Sequence, residues 1–190
     1  MRRVRYHVAV SLDGFISPPD GCADWLEPYG KVAMGFIGPW MKQIGGIIVG
    51  RATYDQSVGM GGWMWGNTSA LVMTSRPLMQ GPQTIHTHAG DPAEGLAALR
   101  ARMAEQDLDT DIWLFGGGVT AGLFLSQDLI DLVELAVVPV ALGRGRPLFA
   151  GVETQLGFEH TASQPIGLGV TVNSYRRMAP RAARIRRRQT

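Results

Sequence analysis

The sequence predicts an α/β protein: a central, mostly parallel mixed sheet flanked by helices, closed by an antiparallel C-terminal edge. Three observations support that expectation. Short β-branched runs alternate with helix-length segments as far as Ile130, as parallel strands joined by crossover helices require. Beyond that point strand signals follow one another directly, which suits antiparallel pairing. The 190 residues, 45% of them apolar, suffice for one domain with its own core.

Val4-Arg5-Tyr6-His7-Val8-Ala9-Val10 is β-branched and reads as a strand, Ser11-Leu12-Asp13-Gly14 as a turn, and Phe15-Ile16 as resumed extended chain. Pro18-Pro19-Asp20-Gly21 is a loop, because two fixed φ angles precede a permissive glycine. Residues 32–43 have helical apolar spacing interrupted by Gly35, Gly38 and Pro39, which predicts a short or kinked helix. Ile47-Ile48-Val49 is a strand ending at Gly50, and Arg51 opens a helix. Residues 59–67 form a glycine and tryptophan loop, 70–73 a strand, and 83–87 a short strand. Asp91-Pro92 is an N-cap with proline at the first helical position, opening a helix through Glu105. Residues 111–115 are a strand running into Gly116-Gly117-Gly118, 119–126 a helix, 132–138 a strand, and 140–149 a turn-rich connection. Residues 155–162 and 168–176 alternate and predict a final hairpin. No repeat or interdomain linker interrupts this order. Residues 1–178 are expected to form one domain and 179–190 a basic, disordered tail.

The formal net charge of +2 hides a division. Residues 1–175 hold 11 basic and 16 acidic side chains, a net −5, whereas residues 176–190 carry +7. The body is acidic, and a solvated tail is expected over a nucleic-acid contact. The single Cys22 excludes an intramolecular disulfide or a multi-cysteine metal site. No run approaches the roughly 18 apolar residues of a spanning helix. His7 and Asp13 break the stretch that a secretory signal would need, so a cytoplasmic protein is expected.

Three strand ends bear residues suited to anions. Gly50-Arg51-Ala52-Thr53 puts a glycine, a guanidinium and a hydroxyl at a helix start, where backbone N–H groups favour phosphate; an ordinary glycine turn is the alternative. Thr74-Ser75-Arg76 suits a phosphomonoester such as the 2′-phosphate of NADPH, or else is a hydrophilic loop before Pro77. Gly116-Gly117-Gly118-Val119-Thr120 lets backbone approach a diphosphate at a helix N-terminus, although it is not the dinucleotide fingerprint. Three such ends at one edge of one sheet argue for a dinucleotide. Elsewhere His7, His86, His88 and His160 are scattered; His86-Thr87-His88 could bind a metal, but a polar strand end is the favoured reading and no metal site is expected. Ser11 and Ser126 lack a nucleophile elbow. Trp63 and Trp65 suit either a pocket wall or packing anchors.

Taken in order, Ser11-Leu12-Asp13-Gly14, Val49-Gly50-Arg51-Ala52-Thr53-Tyr54, Val72-Met73-Thr74-Ser75-Arg76-Pro77, Phe115-Gly116-Gly117-Gly118 and Pro139-Val140-Ala141-Leu142-Gly143-Arg144-Gly145-Arg146-Pro147-Leu148-Phe149 are similar to one family. Residues 4–176 resemble the dihydrofolate-reductase-like proteins that share the reductase domain of bacterial riboflavin biosynthesis. The resemblance implies the dihydrofolate reductase fold and NADPH as cofactor. It implies that Gly50, Arg51 and Thr53 meet the cofactor phosphates, that Thr74, Ser75 and Arg76 meet the 2′-phosphate region, and that Gly116, Gly117, Gly118, Val119 and Thr120 receive the diphosphate. It implies homodimerisation through the C-terminal strands. True dihydrofolate reductases carry a carboxylate on the first helix, but Met34 stands near that place and no acid occurs between Lys31 and Arg51. Asp24 and Asp13 are the catalytic candidates, with Glu27 near Asp24. The deaminase half of the bifunctional enzymes is absent, since no H-x-E with P-C-x-x-C occurs. The expected function is a stand-alone NADPH-dependent reductase of a pterin- or ribosylaminopyrimidine-like molecule; the alternative is a non-catalytic NADPH-binding sensor.

Overall fold

The computed structural model describes residues 2–78 and 81–178. In chain order the elements are β1 (Val4–Ser11), β2 (Phe15–Ser17), a 3₁₀ helix (Asp24–Tyr29), α1 (Gly30–Met41), β3 (Ile44–Gly50), α2 (Arg51–Gly59), β4 (Ser69–Met73) and β5 (Ile85–His88). They continue with α3 (Pro92–Glu105), β6 (Asp111–Gly116), α4 (Gly118–Ser126), β7 (Leu132–Val138), β8 (Arg146–Pro147), β9 (Phe158–Gly167) and β10 (Val170–Arg177). Among the described residues eight strands form one sheet in the order β5-β4-β3-β6-β1-β7-β10-β9. β5 through β7 run parallel, and β10 pairs antiparallel with both β7 and β9. The predicted α/β class and its antiparallel edge are thus borne out.

Strand periodicity divides the sheet into two faces. Val4 and Tyr6 of β1 join Ile48, Ile112 and Leu114 in a core closed by Leu96, Leu99 and Met103 of α3 and Phe124 of α4, all buried. Arg5 and His7, one residue out of phase, meet Trp40 of α1 on the opposite face. Arg5 there is bidentate to Glu134 of β7, at 2.9 and 2.6 Å, and bonds Gln43 at 2.9 Å. Trp40 Nε1 donates to the same carboxylate at 3.2 Å. Both charges are buried yet hydrogen-bonded, the condition on which an ion pair can survive inside a protein.

Local differences from the expected elements have physical causes. The α1 helix starts at Gly30 rather than residue 32, because a 3₁₀ turn at Asp24–Tyr29 leads straight into it, and Pro39 is tolerated inside its last turn. The hairpin is shifted, with β9 at Phe158–Gly167. Pro165 is accommodated there because the strand is an edge and needs no second ladder. The two-residue strand β8 pairs with β2 and has no local sequence signal. The tail predicted at 179–190 lies outside the described residues.

Candidate functional site

A cleft of about 890 Å³ opens at the carboxyl ends of β3 and β6. These neighbours are the sheet's switch point: β3 leads through α2 to β4 on one side, and β6 leads through α4 to β7 on the other. Where successive connections diverge, the strand ends leave a crevice into which two helix N-termini point. The N-caps are Gly50 for α2 and Gly117 for α4, both in extended conformation and neither providing a side-chain cap. By contrast α3 is capped by Asp91, which accepts from Ala93 N at 3.0 Å. The first N–H groups of α2 and α4 therefore depend on another acceptor, and the positive ends of both helix dipoles face the same crevice.

The glycines permit this convergence. A Cβ on Gly50 would fall on Thr120 Oγ1, and one on Gly117 would lie 3.2 Å from Thr53 Oγ1. Gly50, Thr53, Gly116, Gly117, Gly118, Val119 and Thr120 all border the cleft. The Gly116–Gly117 peptide is cis. Arg51 borders it too, but its Nε is held by Asp55 at 2.7 Å and its Nη1 donates to the Pro77 carbonyl at 3.0 Å, bracing α2 against the loop after β4. In that loop Arg76 faces the cleft, whereas Thr74 and Ser75 do not. Thr74 Oγ1 instead accepts from Arg76 N at 3.1 Å and so fixes the backbone that presents Arg76. This volume, these donors and two arginines on one wall fit a phosphorylated dinucleotide.

The acidic candidates stand apart from the lining. Asp13 accepts from Ser11 Oγ at 2.6 Å, Leu142 N at 3.1 Å and Gly143 N at 2.6 Å, a clasp between the β1–β2 turn and the loop before β8. These bonds, the Ser11 hydroxyl first, hold its carboxyl below the usual carboxylate range. Asp24 is exposed at the start of the 3₁₀ helix, its carboxylate beside the Cys22 thiol, and Cys22 itself borders the cleft. Glu27 and Met34 are exposed. His7 lies outside the cleft, stacked on Phe36 and tilted against Trp40, where burial foremost depresses its pKa to about 4. Trp63 packs on Tyr54 and Trp65 on Trp113 and Phe115; both act as anchors for the 59–67 loop, outside the lining.

Sequence reasoning missed part of the wall. Trp25, Leu26, Met60 and Met64 give it an apolar rim, and Gln56 Nε2 donates to the Gly21 carbonyl at 2.7 Å, tying the proline loop to α2. Arg146 of β8 forms the facing lip. Only tertiary pairing places these residues, although Arg146 lay within a motif already singled out. Among the described residues no helix is long and apolar enough to cross a membrane.

The family model for the RibD C-terminal domain matches residues 2–172. The uncharacterised protein YwjB of Bacillus subtilis (strain 168) is 28% identical over 176 residues, 92% of this chain and 98% of that one. The structure of a presumptive riboflavin biosynthesis protein from Shewanella sp. PV-4 superposes with a TM-score of 0.77 at 27% identity, covering 94% of this chain and 100% of that one. Dihydrofolate reductase from Enterococcus faecalis, complexed with NADP(H) and RAB-propyl, shares the fold with a TM-score of 0.64 at 19% identity, covering 92% and 96% of the two chains.

Proposed function

The chain belongs to the RibD C-terminal domain family, and on that premise we propose that it is a stand-alone NADPH-dependent reductase of a ribosylaminopyrimidine- or pterin-like small molecule. The observation that supports this most is the pair of uncapped helix N-termini converging on one crevice, with Arg51 and Arg76 on the wall beside them. NADPH, when bound, supplies the hydride; the protein supplies position and electrostatics. The N–H groups at the starts of α2 and α4, with the Thr53 and Thr120 hydroxyls nearby, bind the diphosphate. Arg76 takes the 2′-phosphate. Trp25, Leu26, Met64 and Phe115 orient a planar acceptor with a C=N or carbonyl bond and exclude water from it. Asp24, exposed outside the lining but beside Cys22, which borders the cleft, is the proposed proton donor. A cytoplasmic location accords with this reading. So does a homodimer through the C-terminal strands, since β9 is an exposed sheet edge.

Fluorescence titration of the folded protein with NADPH and NADH tests the reading. NADPH should bind, and more tightly than NADH; no binding of either at millimolar concentration sinks it. A second reading, an NADPH-binding sensor without turnover, is favoured by one observation: among the described residues no Asp or Glu lines the cleft, and α1 contains none. NADPH binding with no oxidation against pterin, ribosylaminopyrimidine and quinone-like compounds would select it.

A further inference from the structure

The cleft wall assigned to the acceptor is apolar in a way that phosphate binding does not explain. Met60 and Met64 line it although they are 72% and 67% exposed, and Cys22, Trp25 and Leu26 belong to the same lining. Large apolar side chains gathered in a cleft, rather than scattered over a surface, mark a place for an apolar ligand. Both methionines belong to the 59–67 loop, whose Trp63 and Trp65 are packed on Tyr54 and Trp113, so the thioethers are held at the cleft. Thioether sulfur is polarisable and packs favourably against rings.

The hydroxyls of this lining are already engaged. Ser17 Oγ donates to the Pro18 carbonyl at 3.0 Å and Ser57 Oγ to the Thr53 carbonyl at 2.9 Å, each with its single proton. Trp25 differs: its Nε1 is shielded from solvent and has no partner among the described residues. A buried N–H without an acceptor is costly, and a ligand oxygen would supply one. Among the described residues no carboxylate lines the cleft to receive the N–H edge of a heterocycle. The wall thus offers dispersion and one donor. Its match is an apolar ring that carries carbonyl oxygens and donates no hydrogen bond.

We propose that the cleft has a further activity, the two-electron reduction of alkylated quinones. The quinone takes a hydride from NADPH and a proton from solvent and leaves as the hydroquinone, while NADPH becomes NADP+. The proposal rests on the reductase reading for its hydride source and adds an acceptor class to it.

The full chain, its W25F variant and its M60Q/M64Q double variant are saturated with NADP+, so that no turnover occurs. Each is then titrated by calorimetry with tetramethylbenzoquinone, which has no free ring position for the Cys22 thiol to attack, and with dihydrobiopterin. NADPH oxidation by each compound is followed afterwards, and a common melting temperature checks that all three proteins fold. The wild type should bind the quinone about tenfold more tightly than dihydrobiopterin and oxidise NADPH with it. Quinone binding should weaken about tenfold in M60Q/M64Q, through lost apolar contact. It should weaken about two- to tenfold in W25F, through the lost indole donor. NADP+ affinity should stay within about twofold throughout. Quinone binding that is absent, weaker than that of dihydrobiopterin, or unchanged in either variant overturns the proposal, as does quinone binding without NADPH oxidation. In those cases NADPH binding leaves the reductase reading intact, whereas failure of the wild type to bind NADPH overturns both.

Discussion

Gly122→Ala should destabilise the protein although it replaces a helix-interior glycine with the best helix former. Gly118 and Gly122 lie one turn apart on α4 and face the backbone of residues 147–150. A Cβ on Gly122 would lie well inside the contact distance of the Ala150 carbonyl oxygen and 3.0 Å from its carbon. Those are backbone atoms, and they cannot swing aside as a side chain does. The segment is also pinned, by Ala150 N to Gly118 O at 3.1 Å and by Tyr6 Oη to Leu148 O at 3.1 Å. Alanine gains about 1 kcal/mol in helix propensity. Overpacking costs about 1–3 kcal/mol, and a strained Ala150–Gly118 bond gives up about 1 kcal/mol more. The balance is a net loss of about 1–3 kcal/mol. The same exchange at Gly35 of α1, where nothing lies within 4 Å of the new Cβ, keeps only the gain. It should stabilise by about 1 kcal/mol. Urea unfolding followed by circular dichroism measures both. If Gly122→Ala stabilises as Gly35→Ala does, α4 does not press against residues 147–150 and the reasoning fails.

Three further outcomes are expected. His7 is depressed from 6.5 to about 4 by burial, with Glu134 opposing and Arg5 reinforcing, so the unfolded chain takes up its proton first as pH falls. At about 1.4 kcal/mol per pH unit, stability should decline by about 3 kcal/mol from pH 6.5 to 4. His7→Gln should flatten that slope in urea midpoints, and an unchanged slope contradicts the assignment. Glu134→Leu alone leaves the buried Arg5 with its 2.9 Å bond to neutral Gln43 and only a 3.4 Å contact to a carboxylate, Asp111, at a cost of about 3–5 kcal/mol; Arg5→Met with Glu134→Leu should recover most of it in the same assay. Asp24→Asn should lower turnover about a hundredfold or more with NADPH affinity unchanged, and equal turnover removes Asp24 as proton donor.

The parts of the site legible in the sequence are those whose chemistry is local. A glycine ending an apolar strand, as at Gly50, or a glycine run before a helix, as at Gly116 to Gly118, marks close backbone approach from its own neighbours alone. The same logic located Thr53 and Arg76. Thr74, singled out with them, has its hydroxyl accepting from Arg76 N in its own loop. Arg146 was not legible, because its position depends on β8 meeting β2, some 130 residues away in sequence, over two residues with no strand periodicity. The rim residues Trp25 and Met64 sit in a 3₁₀ turn and an irregular loop, where hydrophobic period says nothing about which side faces a ligand. Glu134 hid in an apolar strand; only the fold brings Arg5 and Trp40 to it.

The measurement that bears most directly on the cofactor site is a crystal structure of the full chain with NADPH. It should show the diphosphate at the N-termini of α2 and α4, beside Gly50 and Gly117 to Thr120, with the 2′-phosphate at Arg76. A nucleotide lodged elsewhere, or a crevice left empty by protein that binds NADPH in solution, would contradict the account.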